Sequence, residues 1–265
     1  MITFDVLHFF LRTWKRLLVV GALLMLFSLL SFLFFDDFEL QNPSIWDHLI
    51  STFSHQFISL IFFPVLYTLL IADLVLHDLK ENYAPFILAR ASSRVSWYLA
   101  KVSTLFYVAF LFVIVAVGMW LTAGLLKGLS WDTFSHPTFQ HAGELGQSPF
   151  LLLALMLLFY IVGLTVAGAF VLWLSLQLEN SILAWGGIVL LGLLSMAAFN
   201  ANRALFIWLP LSQLMFKIHY PYDQLDPKLR SFTISWSGIY LVLWLLLSLI
   251  FGWLRVRRMN LSLKG

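Results

Sequence analysis

The chain has 265 residues, of which 61% are hydrophobic and only 11% carry a formal charge. Soluble proteins have roughly 45–50% apolar and about 25% charged residues, so this surplus of apolar side chains excludes an ordinary water-soluble fold. The net charge of +3 is too small to indicate nucleic-acid binding, and the absence of cysteine excludes disulfides and thiol chemistry. The composition predicts an all-α integral membrane protein.

The first sixteen residues predict an interfacial amphipathic helix that precedes the first span. Polar side chains recur there at three- and four-residue spacing, while apolar side chains occupy the other faces. The polar set is Asp5, His8, Arg12, Lys15 and Arg16, and the apolar set is Val6, Phe9, Phe10 and Trp14. The alternative is a simple basic flank for the first span.

Six segments are long and apolar enough to cross a bilayer, whose hydrocarbon core of roughly 30 Å needs about 20 residues of helix. They are residues 17–35, 57–76, 102–126, 149–176, 182–199 and 234–254. Each must be helical, because lipid satisfies no backbone polar group. We expect residues 1–265 to form a single transmembrane domain. Its first span is expected to be retained, since Asp36 and Asp37 follow it in place of a cleavage site.

The distribution of basic residues predicts the orientation. With the N-terminus in the cytoplasm, five basic residues fall outside and eleven inside. The inside set is Arg12, Lys15, Arg16, Lys80, Arg90, Arg94, Lys101, Arg255, Arg257, Arg258 and Lys264. Both termini are therefore expected to be cytoplasmic.

The longest cytoplasmic segment, residues 77–101, predicts a docking surface. Phe86, Ile87 and Leu88 form a short apolar patch between charged stretches. Such a patch, held off the membrane by charges, is typical of a segment that packs on a partner. The alternative is a solvated hairpin whose arginines only enforce topology.

Residues 201–233 form a long outside segment with three prolines and one apolar piece, ALFIWLPLSQLMF. This piece is too short to span, so we expect it to lie in the interface or to re-enter the bilayer part way.

Asp73 is the one ionisable residue inside a predicted span, close to its cytoplasmic end. Intramembrane charges are costly and often functional. We favour a structural ion pair with Lys101 or Arg94 at the membrane edge, and proton coupling through a lone carboxylate is the alternative. Pro64 in the same span predicts a kink.

The sequence contains no GxxxxGK[ST] phosphate-binding loop, HExxH motif or GxSxG elbow. His136 and His141 share an outside loop, but their spacing is weak evidence for zinc. We therefore expect neither an enzyme nor a bound metal or cofactor.

The run FILARASSRVSWYLAKVSTLF after the second span resembles the signature of permease subunits of type-2 ABC exporters. Its matching features are apolar residues, an arginine, a Ser-Arg step, an aromatic residue and a lysine that opens the third span. They fall on Phe86, Ile87, Leu88, Arg90, Ser93, Arg94, Trp97 and Lys101, and Asp73 or Asp78 fits the acid that precedes them. The topology of the whole chain is similar as well.

The resemblance implies that residues 77–101 contain a coupling helix between spans 2 and 3, with Asp78, Glu81 and the residues named above at the ATPase contact. It also implies two cytoplasmic ATPase subunits, which hold ATP and magnesium, and a second permease copy or paralogue. The surroundings would be lipid in a bacterial cell membrane, and no nucleic acid is implied. The expected cargo is a hydrophobic or amphipathic peptide, lipid or drug.

Two alternatives to an exporter permease stay open. A secondary transporter or channel usually has polar or discontinuous spans and internal repeats. A membrane-embedded enzyme needs a polar cluster. Co-purification of an ATPase separates the first hypothesis from both alternatives.

Overall fold

A computed structural model describes residues 2–34, 43–74, 76, 94–132, 146–222 and 229–258. Throughout these ranges the chain is helical, with isolated bridges but no strands. The α-helices are α1 (Ile2–Phe34), α2 (Ile45–Ser54), α3 (Phe63–Ile71), α4 (Arg94–Leu126), α5 (Pro149–Leu178), α6 (Ser181–Ala201), α7 (Arg203–Phe206) and α8 (Ile234–Arg258). A π-helical turn, Ile58–Phe62, precedes α3, and two 3₁₀ turns, Pro210–Leu214 and Phe216–Ile218, follow α7.

Five of the described helices are long and apolar enough to cross a membrane: α1, α4, α5, α6 and α8. A sixth crossing results if the bent pair Ile45–Ser54 and Ile58–Ile71 is one span, whose halves meet at 59°. The chain is therefore a multi-pass membrane protein. The predicted second span, residues 57–76, corresponds to the inner half of this bent pair.

The N-terminal helix differs from the prediction. The structure has one helix, α1, from Ile2 to Phe34, where we expected a surface helix followed by a separate span. No proline lies between these residues to break it. The face with Arg12 and Arg16 packs towards Asp73 of the bundle.

The bend in the second span lies between Ser54 and the π-helical turn, earlier than Pro64, which sits at the start of α3. The backbone carbonyl of Phe53, which the bend releases from the helix, accepts hydrogen bonds from the side chains of Ser59 and Tyr160. These side chains replace the helix ladder in a region where lipid supplies no donor.

The helix α5 lies at the centre of the bundle and packs against α3, α4, α6 and α8. Where α5, α4 and the bent span meet, fully buried rings pack around Phe63 in edge-to-face and tilted arrangements. These are Phe53, Trp120 and Tyr160, with ring centroids 5.1–5.7 Å from that of Phe63. Such ring packing adds to the dispersion contacts that hold apolar helices together in lipid.

The apolar outside piece does not span, as predicted. The 3₁₀ turn Pro210–Leu214 packs among α5, α6, α8 and the π-helical turn, with Leu211 to Leu214 buried. Leu214 lies directly on Gly163 of α5, where a Cβ atom would collide with it. This segment, residues 210–219, therefore fills the bundle towards the end that the sequence predicts to lie outside, and we call it the outer plug.

Candidate functional site

Contacts between helix ends define a basic end of the bundle. There Arg16 of α1 meets Asp73 beyond α3, Arg94 of α4 meets the end of α8, and Arg255 of α8 meets the end of α5. At the opposite end, Ser44 before α2 bridges Ser130 after α4. The helices thus alternate in direction, and the basic end corresponds to the predicted cytoplasmic side.

Asp73 lies two residues beyond α3 and is held by α1 and α6. Its carboxylate pairs with the guanidinium of Arg16 and accepts a hydrogen bond from the hydroxyl of Ser181. Arg12 donates to its backbone carbonyl at 3.0 Å. The predicted pairing with Lys101 or Arg94 is therefore wrong. The helix α1 passes beside Asp73, and two of its arginines, Arg12 and Arg16, contact that residue.

The surroundings of Asp73 favour its ionised form. Burial alone would raise the pKa of Asp73, but the hydrogen bonds from Ser181 and Arg16 and the charges of Arg16 and Arg12 outweigh it and hold the pKa below its ordinary value. A carboxylate that stays ionised suits a structural ion pair better than a proton carrier.

The first turns of α4 are tied to the last turns of α8. Arg94 donates to the carbonyl of Arg257 at 2.9 Å, and Tyr98 donates to that of Leu249 at 3.1 Å. Carbonyls in the last turn of a helix have no partner within the helix and carry partial negative charge, so an arginine is a suitable cap. Gly252 leaves the space that the Tyr98 ring occupies.

The end of α8 is also tied to α5. Arg255 donates to the carbonyl of Leu176 at 3.2 Å and to the carboxylate of Glu179 at 2.9 Å. Together, Arg94 and Arg255 link the basic ends of α4, α8 and α5 through backbone carbonyls.

The structure describes three of the predicted coupling residues. Arg94 is exposed at the first position of the described part of α4, whereas Trp97 and Lys101 are buried at 1% and 3% exposure. We expected Lys101 to open the third span, but it lies two turns inside α4. The other predicted coupling residues, Asp78, Glu81, Phe86, Ile87, Leu88 and Arg90, lie outside the described residues.

A buried polar network lies in the outer plug, and no motif in the sequence predicts it. His219 places Nδ1 3.0 Å from the carbonyl of Phe216 and Nε2 2.7 Å from the hydroxyl of Ser237 on α8. That hydroxyl also lies 2.6 Å from Oε1 of Gln213. Since it carries one hydrogen, it donates to only one of these neighbours at a time. Burial lowers the pKa of His219 to about 4, although backbone contacts to Phe216 and Met215 act in the opposite direction.

No group of three or more histidine, aspartate and glutamate side chains suited to a metal ion occurs within the described ranges. His136 and His141 lie outside those ranges.

One of three comparisons with known proteins identifies a family. Neither a curated protein nor a solved structure matches the chain. A family model described as a protein of unknown function, DUF2705, matches residues 12–262, and the chain belongs to that family.

Proposed function

We propose that this chain is the membrane-spanning permease subunit of an ATP-driven exporter and that a separate cytoplasmic ATPase docks on residues 77–93 at the basic end. The observation that carries the proposal is the resemblance of the run from Phe86 onward to the coupling signature of type-2 ABC export permeases. The absence of a GxxxxGK[ST] loop in the chain agrees with ATP and magnesium being held by the partner.

The geometry of α4 supports a permease chain that is driven by a separate ATPase. The proposed docking segment leads directly into Arg94, the first described residue of a 33-residue helix. At 1.5 Å per residue this helix is about 50 Å long, so it runs through the whole bilayer. Because Arg94 and Tyr98 bind carbonyls of α8, a movement of the segment acts on two spans at once.

The apolar character of the spans supports a hydrophobic or amphipathic cargo such as a peptide, a lipid or a drug. The outer plug occupies the end from which an exported molecule leaves, and it would have to move during release. The complex would sit in a bacterial cell membrane and contain two ATPase subunits and a second permease copy or paralogue.

A secondary transporter or channel is the second candidate, and the bent span favours it. Discontinuous helices near the midplane are typical of ion-coupled transporters, in which released carbonyls bind ions. Here, however, the released carbonyl of Phe53 already accepts hydrogen bonds from the side chains of Ser59 and Tyr160. Because this carbonyl already has hydrogen-bond donors, the bend is better explained as a structural feature than as an ion-binding site.

The experiment is purification of the chain from its native membranes and identification of any ATPase subunit that co-purifies with it. We expect Leu88→Asp to abolish association, because docking would bury an unpaired charge. Arg90→Ala is expected to weaken association or to uncouple hydrolysis from transport. Arg94→Ala is less informative, since Arg94 also caps α8.

The matched control is His136→Ala, in an outside loop, which should leave association intact. Membrane insertion of each variant is checked by its yield as a monodisperse peak in detergent. If the well-inserted Leu88→Asp protein still holds its ATPase and transports normally, the docking role of this segment is wrong. If the wild-type chain transports with no ATPase, the secondary transporter is correct.

A further inference from the structure

The last turn of α8 lies at the level of the lipid headgroups. With 25 residues, α8 is about 37 Å long, against roughly 30 Å of hydrocarbon. Its apolar run ends at Leu254, and three arginines follow within the next four residues. The excess of lysine and arginine predicts that this end is cytoplasmic, so these arginines meet the inner leaflet.

A further guanidinium reaches this turn from α4. Arg94 donates through Nη1 to the carbonyl of Arg257 at 2.9 Å, and the same atom lies 3.5 Å from the carbonyl oxygen of Val256. These contacts hold the guanidinium of Arg94 beside the turn that carries Arg257 and Arg258. We call Arg94, Arg257 and Arg258 the arginine trio, and all three residues are exposed.

Two carboxylates at this end are already bound by arginines outside the trio. The ion pairs join Arg16 to Asp73 and Arg255 to Glu179. Among the residues that the structure describes, no ion-pair or hydrogen-bond partner lies against the guanidinium groups of Arg257 and Arg258. Adjacent like charges repel each other, so an anion placed between them lowers the energy of this helix end and gains charge-assisted hydrogen bonds.

An aromatic pair lies one helical turn deeper in the membrane than the trio. Tyr98 follows Arg94 by four residues, which corresponds to about 6 Å along α4. Trp253 precedes Arg257 by the same interval on α8. The two ring centroids are 6.1 Å apart, and the Tyr98 hydroxyl donates to the carbonyl of Leu249 at 3.1 Å. Tyrosine and tryptophan are enriched at this depth, where headgroups meet acyl chains.

An apolar stripe on α8 continues from Arg258 towards the middle of the membrane. Ile250, Leu254 and Arg258 follow one another at intervals of four residues, so they share one face of the helix. Ile250 is 53% exposed and Leu254 is 38% exposed. The acyl chain of any lipid can cover the apolar part of this stripe. The cationic end is selective, because it favours a headgroup with a net negative charge over a zwitterionic one.

We propose that the arginine trio binds the phosphate of an anionic phospholipid of the inner leaflet, with an acyl chain along Ile250 and Leu254. Guanidinium groups suit this role because they bind phosphate oxygens through paired hydrogen bonds. Basic residues attract anionic lipids along the whole inner surface. The trio differs from them in that the carbonyls of α8 fix the position of Arg94. This lipid site is independent of the proposed function, and its test needs no ATPase.

The test compares phosphatidylglycerol with phosphatidylcholine of the same acyl chains, each added to the purified chain in detergent. A lipid that binds the folded chain raises its melting temperature. We expect phosphatidylglycerol to raise it by several degrees more than phosphatidylcholine. Arg257→Gln combined with Arg258→Gln should remove most of this difference. Arg94 is kept in this variant because it also caps α8.

The matched control is Lys15→Gln, which removes one exposed positive charge at the same end of the bundle, on α1. Arg258→Gln alone also removes one charge and should reduce the difference between the two lipids more than Lys15→Gln does. Equal reductions would mean that the diffuse charge of this end attracts the lipid, and the proposal would be wrong. It would also be wrong if both lipids raise the melting temperature equally. Inorganic phosphate at the same concentration should not reproduce the effect of phosphatidylglycerol, and an equal rise would identify a site for free anions instead.

A second measurement uses the lipid that the protein retains from its native membranes. Mass spectrometry of the purified chain should detect bound anionic phospholipid in the wild type and in Lys15→Gln. The variant that combines Arg257→Gln with Arg258→Gln should retain several-fold less. Equal retention by all three proteins would overturn the proposal, even if their melting temperatures differ.

Discussion

Arg16 of α1 forms an ion pair with Asp73, 57 residues later in the chain, and so joins the first helix to the end of the bent span. The side chains are 40% and 32% exposed, so solvent screens the pair. We expect a double-mutant cycle with Arg16→Ala and Asp73→Asn to give a coupling energy of about 1 kcal/mol or less. Thermal unfolding in detergent measures it.

A second double-mutant cycle combines Asp73→Asn with Arg94→Ala, because Arg94 and Lys101 were the two partners of Asp73 predicted from the sequence. Arg94 donates to carbonyls at the end of α8, so Arg94→Ala and Asp73→Asn should act additively. Coupling between Asp73 and Arg94 that exceeds the coupling between Asp73 and Arg16 would contradict the structure.

Gly192 of α6 permits a close contact between this helix and the backbone of the bent span. A Cβ atom there would lie 2.6 Å from the backbone carbonyl oxygen of Leu60, in the π-helical turn. Because a backbone atom has no rotamer to escape into, we expect Gly192→Ala to destabilise the fold by about 1–3 kcal/mol. The shift in the melting temperature in detergent measures this loss.

The control is Gly186→Ala on the same helix, where nothing lies within 4 Å of the added atom. This substitution should be neutral or raise the stability by up to about 1 kcal/mol, since alanine is the better helix former. Equal effects at the two positions would mean that α6 does not pack on the π-helical turn.

His219 makes the outer plug sensitive to acid. Its pKa is lowered to about 4 in the folded segment, so folded His219 is neutral, whereas an exposed histidine takes up a proton below pH 6.5. Neutral His219 therefore contributes fully to the free energy of unfolding above pH 6.5, and this contribution is lost as the pH falls towards 4. The difference between the two pKa values limits the contribution to about 3 kcal/mol, since one pKa unit corresponds to about 1.36 kcal/mol. We expect protease cleavage near residue 220 to accelerate across this interval.

The comparison is His219→Gln, which keeps a hydrogen-bonding group beside Ser237 but does not titrate in this range. Other histidines respond to acid too, so the informative quantity is the difference between the wild type and this variant. If both proteins show the same dependence on pH, His219 is not the acid-sensitive group.

Hydropathy was sufficient to predict the long spans because lipid demands an unbroken apolar helix. The same signal missed α2, since Asp47, His48, Ser51 and Thr52 lower its hydropathy. A local signal was present. Ser44 and Asp47 form a capping box, with Ser44 accepting from the Asp47 amide and Asp47 accepting from the Ser44 amide.

The partner of Asp73 was not predictable from spacing. Polar residues at three- and four-residue intervals fit a helix on a membrane surface, but they fit equally a helix whose charged face packs on a carboxylate. Only the position of α3 beside α1 decides between them. The network around His219 joins residues 213, 219 and 237 from a turn, a loop and a helix, and no linear pattern indicates such a meeting.

The orientation of the bundle gives the last prediction. The excess of lysine and arginine at the end with Arg16, Arg94 and Arg255 predicts that this end is cytoplasmic. Single cysteines at Ser92 and at Trp131 report on the two sides. Trp131, which is 56% exposed after α4, lies at the opposite end of that helix from Arg94. We expect a membrane-impermeant thiol reagent, applied to intact cells, to label Trp131→Cys but not Ser92→Cys. Permeabilised cells should then show labelling at both positions, which controls for accessibility. Labelling of Ser92→Cys in intact cells would invert the topology, and the proposed ATPase docking segment would then lie outside the cell, out of reach of cytoplasmic ATP.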